Sequence, residues 1–222
     1  MNQRVQVEAY LMQLQDTIAN LPSKLIDQVI DVLLETVHAE KKVFICGNGG
    51  SASTASHFAC DLAKNTIVPG APAFRVIALT DNMALMTAWA NDTDYDNVFA
   101  AQLNPLVQPG DVVIGISCSG NSNNVLNAMA VARYHGATTI GFSGDKGGQL
   151  KEMADLCLRV PSPRIEQQED VHLILEHCIC AAIRDRLTEQ YAPVAYDMTP
   201  TPSLQNDKTP ASINYDYHPS IP

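Results

Sequence analysis

His57 and Asp61 stand four residues apart in SASTASHFACDLAK, so on a helix both side chains leave one face about a turn apart. Further on, QQEDVHLILEHCIC carries Glu169, His172 and His177. Glu169 and His177 are eight positions apart, which brings them back to within about 80 degrees of one another around a helix, whereas His172 lies on a different stripe from His177. Imidazoles and carboxylates in this arrangement can pass protons between adjacent carbons, or they can hold a zinc-like ion. Spacing alone also fits the plainer role of His and acid side chains that pack or solvate a helix.

A second group of residues suits an anion. CGNGGS, residues 46 to 51, and SCSGNSNN, residues 117 to 124, each follow a short apolar run directly and precede a helical pattern. Glycine lets the backbone approach a phosphate closely, helix N-termini present free N–H groups, and Ser117, Ser119 and Ser122 add hydroxyls. A phosphate held this way needs few cations, which agrees with a formal net charge of -10. Neither loop has the GxGxxG spacing of a dinucleotide site and no GxxxxGK[ST] segment occurs, so nucleoside triphosphates are excluded as the ligand class.

The elements that must position these groups follow from periodicity. Residues 3 to 20 and 23 to 39 have helical apolar spacing and predict an N-terminal helical hairpin. VFIC, FRVIAL, DVVIGIS, TTIGF and LCLRV then read as strands buried on both faces, at 43–46, 74–79, 111–117, 138–142 and 156–160. Helical stretches at 53–64, 82–90, 94–105 and 122–134 separate them, and a last helix is expected over 167–188. Strand and helix in alternation predict an α/β fold with a parallel five-stranded sheet between helical layers, a three-layer αβα sandwich. Residues 189–222, with six of the 13 prolines and four of the seven tyrosines, predict an extended tail or a strap on a neighbouring subunit.

Composition narrows the function classes. A hydrophobic fraction of 46% is that of a globular protein, and no apolar run approaches the roughly 18 residues of a membrane span. The acidic charge and the absence of a Lys/Arg cluster argue against nucleic acid. Six cysteines without a CxxC pair, and a first segment without the regions of a signal peptide, predict reduced thiols and a cytoplasmic address.

FICGNGGSASTASHFACDLA, TDNMALMTAWANDTDYDNVFAAQL, GISCSGNSNNVLNAMAVARYHGA and EDVHLILEH, in this order over residues 1 to 188, resemble the sugar isomerase (SIS) domain family, and within it the phosphoheptose isomerases. The resemblance implies a SIS domain over 1–188, and an aldose–ketose isomerase that converts sedoheptulose 7-phosphate to a manno-heptose 7-phosphate through an enediol. The alternative it leaves is a non-catalytic sugar-phosphate-binding regulator or assembly protein on the same fold. Carried over position by position, Asn48, Gly49, Gly50, Ser51, Asn91, Asp92, Ser117, Cys118, Ser119, Ser122 and Glu169 bind the sugar phosphate. Asp61 and His177 are the acid/base pair, and His57, Asp61, Glu169 and His177 hold a zinc ion. A homo-oligomer, tetramer or dimer, is implied as well. Two departures stand out: Asp61 occupies a position that is Glu in the family, and Glu169 one that is Gln.

Overall fold

The computed structural model describes residues 3–191; the expected tail lies outside them, apart from its first residues, which continue the last helix to Tyr191. Two helices open the chain, α1 (Gln3–Ala19) and α2 (Ser23–His38). Five strands follow, β1 (Lys42–Gly47), β2 (Arg75–Ala78), β3 (Val112–Ser117), β4 (Thr138–Gly144) and β5 (Leu156–Val160). Between them run α3 (Gly50–Lys64), α4 (Met83–Asp92), α5 (Val98–Leu103), α6 (Asn123–Tyr134) and the short α7 (Leu150–Met153), and α8 (Ile165–Tyr191) closes the chain. A single 3-10 turn, Tyr95–Asn97, leads into α5.

All strand pairs are parallel, in the order β2-β1-β3-β4-β5. Alternation along the strands sorts the core into two layers. Val43 and Ile45 of β1, with Ile114 and Ile116 of β3, face a layer built by α2, α3 and α8 through Leu33, Phe58, Leu62, Val171, Leu175 and Ile179. Phe44, Cys46 and Val113 face the opposite layer, where Phe99 and Leu103 of α5 and Val125 and Met129 of α6 pack. This is the expected three-layer sandwich, and burying both faces of a parallel sheet explains why its central strands are apolar over most of their length.

β2 departs from that expectation. It is the edge strand, Arg75 is exposed and Ile77 is 40% exposed, because only one neighbour and one helical layer cover it. The strand order carries the functional consequence. The chain reverses direction across the sheet at β1 and β3, and in open sheets the crevice at the carboxyl ends of two such strands is where ligands collect.

Candidate functional site

β1 and β3 are paired with Gly47 opposite Ile116, so the loops that leave them are side by side. Asn48 and Asn124 join them by reciprocal amide hydrogen bonds: Asn48 Nδ2 donates to Asn124 Oδ1 at 2.8 Å, and Asn124 Nδ2 donates to Asn48 Oδ1 at 2.9 Å. Tyr95 also donates its hydroxyl to Asn48 Oδ1, at 2.9 Å. Asn124 is 2% exposed, and its amide thus satisfies a buried pair that would otherwise be costly. Nothing in the residue pattern signals this role, because an Asn after a cap position reads as ordinary loop chemistry.

The three expected hydroxyls converge. Ser117 Oγ lies 3.0 Å from Ser122 Oγ and 3.4 Å from Ser119 Oγ, and together with Asn48, Ser51 and Glu169 they line a cleft of about 170 Å³. The turn is tight enough to dictate its own glycine. Gly120 has φ +65, and a Cβ there would sit 2.0 Å from the carbonyl oxygen of Gly147. Glu169 hangs over the first residue of α3: a Cβ on Gly50 would lie 2.5 Å from its Oε1. Helix α3 therefore starts at a residue without a side chain so that a carboxylate can lie across its amino end, where the helix dipole favours negative charge.

Below this cleft, His172 Nδ1 lies 4.0 Å from Cys118 Sγ, and its Nε2 lies 3.2 Å from the carbonyl oxygen of Ser143. The carbonyl can only accept, so Nε2 carries the proton and Nδ1 receives the thiol. Burial depresses His172 to a pKa of about 4, offset slightly by the Ser143 carbonyl. Burial first, and then the Glu169 carboxylate, raise the Cys118 thiol. His172 is therefore neutral, a brace between β4 and the serine loop and not a proton donor.

The second half of the site is two turns along α3. His57 and Asp61 meet Glu176 and His177 of α8, and one ligating atom from each of the four lies within 4.8 Å of all the others. His57 Nε2 and His177 Nε2 are 3.2 Å apart. Asp61 Oδ1 is 3.8 Å from His57 Nε2, and its Oδ2 is 3.7 Å from His177 Nε2. Asn65 donates from Nδ2 to Asp61 Oδ1 at 2.7 Å, which sets the orientation of that carboxylate. Glu176 is wholly buried, and neither of its oxygens has a hydrogen-bond partner. Burial, and then the Asp61 carboxylate, push its pKa up to about 8. A nitrogen and carboxylate set with an uncompensated buried acid is one that a divalent cation fits.

The structure thus brings His57, Asp61 and His177 together as expected, but the fourth member is Glu176 and not Glu169. The reason is distance along two helices that run side by side. Glu169 precedes His177 by eight residues, about 12 Å of helix, and lies beside Gly50, which precedes His57 by a similar stretch. Glu176 escaped notice because adjacent residues on a helix point about 100 degrees apart. A signal was there: it is an acid on the stripe His172, Glu176, Cys180 of a helix whose buried residues are otherwise mostly apolar. Asn91 and Asp92 do not line the loop cleft. They are exposed at the end of α4, where Asn91 Nδ2 donates to Asp92 Oδ1 at 3.0 Å, because α4 rests on the core only through residues such as Met86, Trp89 and Ala90.

Known proteins resemble this chain in sequence and in fold. The SIS domain profile matches residues 7–144. The phosphoheptose isomerase of Aliarcobacter butzleri is 41% identical over 179 residues, 78% of this chain and 93% of that protein. Among solved structures, the phosphoheptose isomerase from Francisella tularensis superposes with a TM-score of 0.77 at 31% identity, over 83% of this chain and 100% of that one. The one from Neisseria gonorrhoeae gives a TM-score of 0.75 at 32% identity, over 82% and 98%.

Proposed function

The chain belongs to the SIS domain family, and from this premise and the two half-sites we infer that it is a phosphoheptose isomerase, interconverting sedoheptulose 7-phosphate and a manno-heptose 7-phosphate. The observation that carries the reading is the separation of an anion cradle from an acid/base cluster along one helix. From Ser51 to His57 is six residues, about 9 Å of α3. A sugar that spans it has its phosphate at one end and its carbonyl at the other, as an extended seven-carbon phosphate does.

In the ketose-to-aldose direction, Asp61 removes a proton from C1 while His177 donates one to the C2 carbonyl oxygen, giving a cis-enediol. Return of a proton to C2, with loss of the O1 proton to His177, completes the aldose, and no oxidant or reductant is consumed. Asn65 holds the Asp61 carboxylate for this transfer. Ser51, Ser117, Ser119 and Ser122 hold the phosphate, and Glu169 accepts from sugar hydroxyls. His57, His177 and Asp61 are also donors for a zinc ion, which when bound would order these groups; a ligated Asp61 and His177 transfer no proton, so the acid/base chemistry belongs to the metal-free site.

The enzyme acts as a cytoplasmic homo-oligomer in this reading. Exposed apolar side chains on α4 and β2, Met83 at 68%, Leu85 at 39% and Ile77 at 40%, support a second copy packed there. No helix among the described residues is long and apolar enough to cross a membrane.

The test is incubation with five- to seven-carbon sugar phosphates in deuterated water, with exchange and interconversion followed by NMR. Deuterium should enter at C1 of sedoheptulose 7-phosphate and at C2 of the aldose as it accumulates. If no sugar in the panel exchanges or interconverts, the chain is the sugar-phosphate-binding regulator and not the enzyme.

A further inference from the structure

We propose that Glu176 is the fourth protein ligand of the metal site, completing a closed set of two imidazoles and two carboxylates, while Glu169 belongs to the sugar. This rests on the isomerase reading for the place of the cluster, but it concerns what holds the ion. The carboxylate is 0% exposed, lacks any hydrogen-bond donor, and has Oε1 3.3 Å from His177 Nε2 and 3.7 Å from His57 Nε2. Burying an acid in this way is unfavourable unless a proton or a cation compensates it.

The surrounding distances select the cation. Two imidazole nitrogens facing each other at 3.2 Å repel if both are bare, and one proton shared between them leaves the buried Glu176 carboxylate without a partner. Around an ion with bonds of about 2.0 to 2.1 Å, tetrahedral ligands stand about 3.3 to 3.4 Å from each other. The separations here are 3.2 Å between the imidazoles, 3.3 and 3.7 Å from them to Glu176 Oε1, 3.8 Å from His57 to Asp61 Oδ1 and 3.7 Å from His177 to Asp61 Oδ2, with one ligating atom from each of the four within 4.8 Å of the others. The four donors are therefore already near the spacing that a tetrahedral dication imposes. Two carboxylates also balance its charge, which makes the site neutral.

Four protein ligands leave no open position, and a closed site is the mark of an ion that orders its surroundings. The ion then ties α3 to α8 beneath the substrate cleft. Glu169, which lies beside the start of α3, is free to receive sugar hydroxyls, so Glu169 and Glu176 of α8 divide the work between sugar and ion.

Cobalt(II) titration of metal-stripped full-length protein tests this, because cobalt reports both affinity and coordination. Wild type should take up one equivalent with the intense visible absorption of a four-coordinate site, and sedoheptulose 7-phosphate should leave that spectrum unchanged. Glu176→Gln should weaken cobalt binding by about a hundredfold or more, and Glu169→Gln by less than about threefold. Glu176→Gln should also melt at or above wild type when both are metal-free, since it removes a buried ionisable group that lacks a partner, and below it when both are loaded. These opposite shifts distinguish ligand loss from misfolding. Cobalt binding that survives Glu176→Gln but is lost in Glu169→Gln, a six-coordinate spectrum, or no uptake by wild type would each overturn the assignment. Failure to isomerise any sugar would remove the isomerase reading and leave this titration to be judged by itself.

Discussion

Replacing Gly50 with alanine isolates one contact of the cleft. Gly50 opens α3 with φ outside the left-handed region, so alanine is compatible with the backbone, and its higher helix propensity offsets part of any strain. The added Cβ would stand 2.5 Å from Glu169 Oε1, 2.7 Å from its Cδ and 2.9 Å from its Oε2. The obstacle is the end of a flexible side chain, which retreats by about 1 Å to reach ordinary contact. If Glu169 grips the sugar, a misplacement near 1 Å costs on the order of a hundredfold in kcat/KM, with the melting temperature nearly unchanged. The assay is NMR-monitored conversion of sedoheptulose 7-phosphate by Gly50→Ala, Glu169→Ala and the double variant, with circular dichroism for stability. In the double variant the clash has no target, so its loss should equal that of Glu169→Ala alone. Full activity in Gly50→Ala, or losses that multiply in the double variant, would refute the reasoning that Glu169 is held in place by the space at Gly50.

Asn65→Ala should lower kcat about tenfold with little change in KM, because it frees Asp61 to rotate without touching the phosphate; rescue by Asn65→Gln is not expected, and steady-state kinetics decide the matter. Ser122→Ala should raise KM several-fold with kcat nearly constant, by removing a hydroxyl from the anion cradle, and inhibition by inorganic phosphate should weaken in parallel. His172 predicts an acid limit to stability. Its folded pKa of about 4 lies below the ordinary value of 6.5, so the unfolded chain binds its proton first as pH falls. The stability from keeping it neutral is complete above about 6.5 and is lost as pH falls toward 4, on the order of 3 kcal/mol in all. Denaturant melts of His172→Gln should show a flatter profile across that window. Met83→Asp should shift the protein to a smaller species in analytical ultracentrifugation, since it puts a charge on the exposed apolar end of α4.

What could be read from the sequence and what could not divides along a physical line. The strands were legible because both faces of a central parallel strand are buried, so VFIC and VVIGI are free of polar side chains; β2 was misjudged where an edge position relaxes that demand and leaves Ile77 in the open. The serine and glycine loops were legible because their chemistry is local, each contained in eight residues or fewer. The cluster was only half legible, since His57 and Asp61 share a helix face by spacing, whereas their partners are set by how α3 lies against α8. That packing puts Gly50 beside Glu169 and His57 beside Glu176, a register no single-helix pattern contains. It also alters the meaning of the short side chain at position 61. Measured within α3 alone, Asp61 is a carboxylate drawn back by one methylene. Measured across the interface, a second carboxylate reaches the same imidazoles from Glu176, and Asn65 anchors the shorter one. The reach that the shorter side chain at 61 lacks is supplied by Glu176 from the opposite helix, and an Asp61→Glu variant should therefore crowd the donor set and weaken metal uptake in the same cobalt titration.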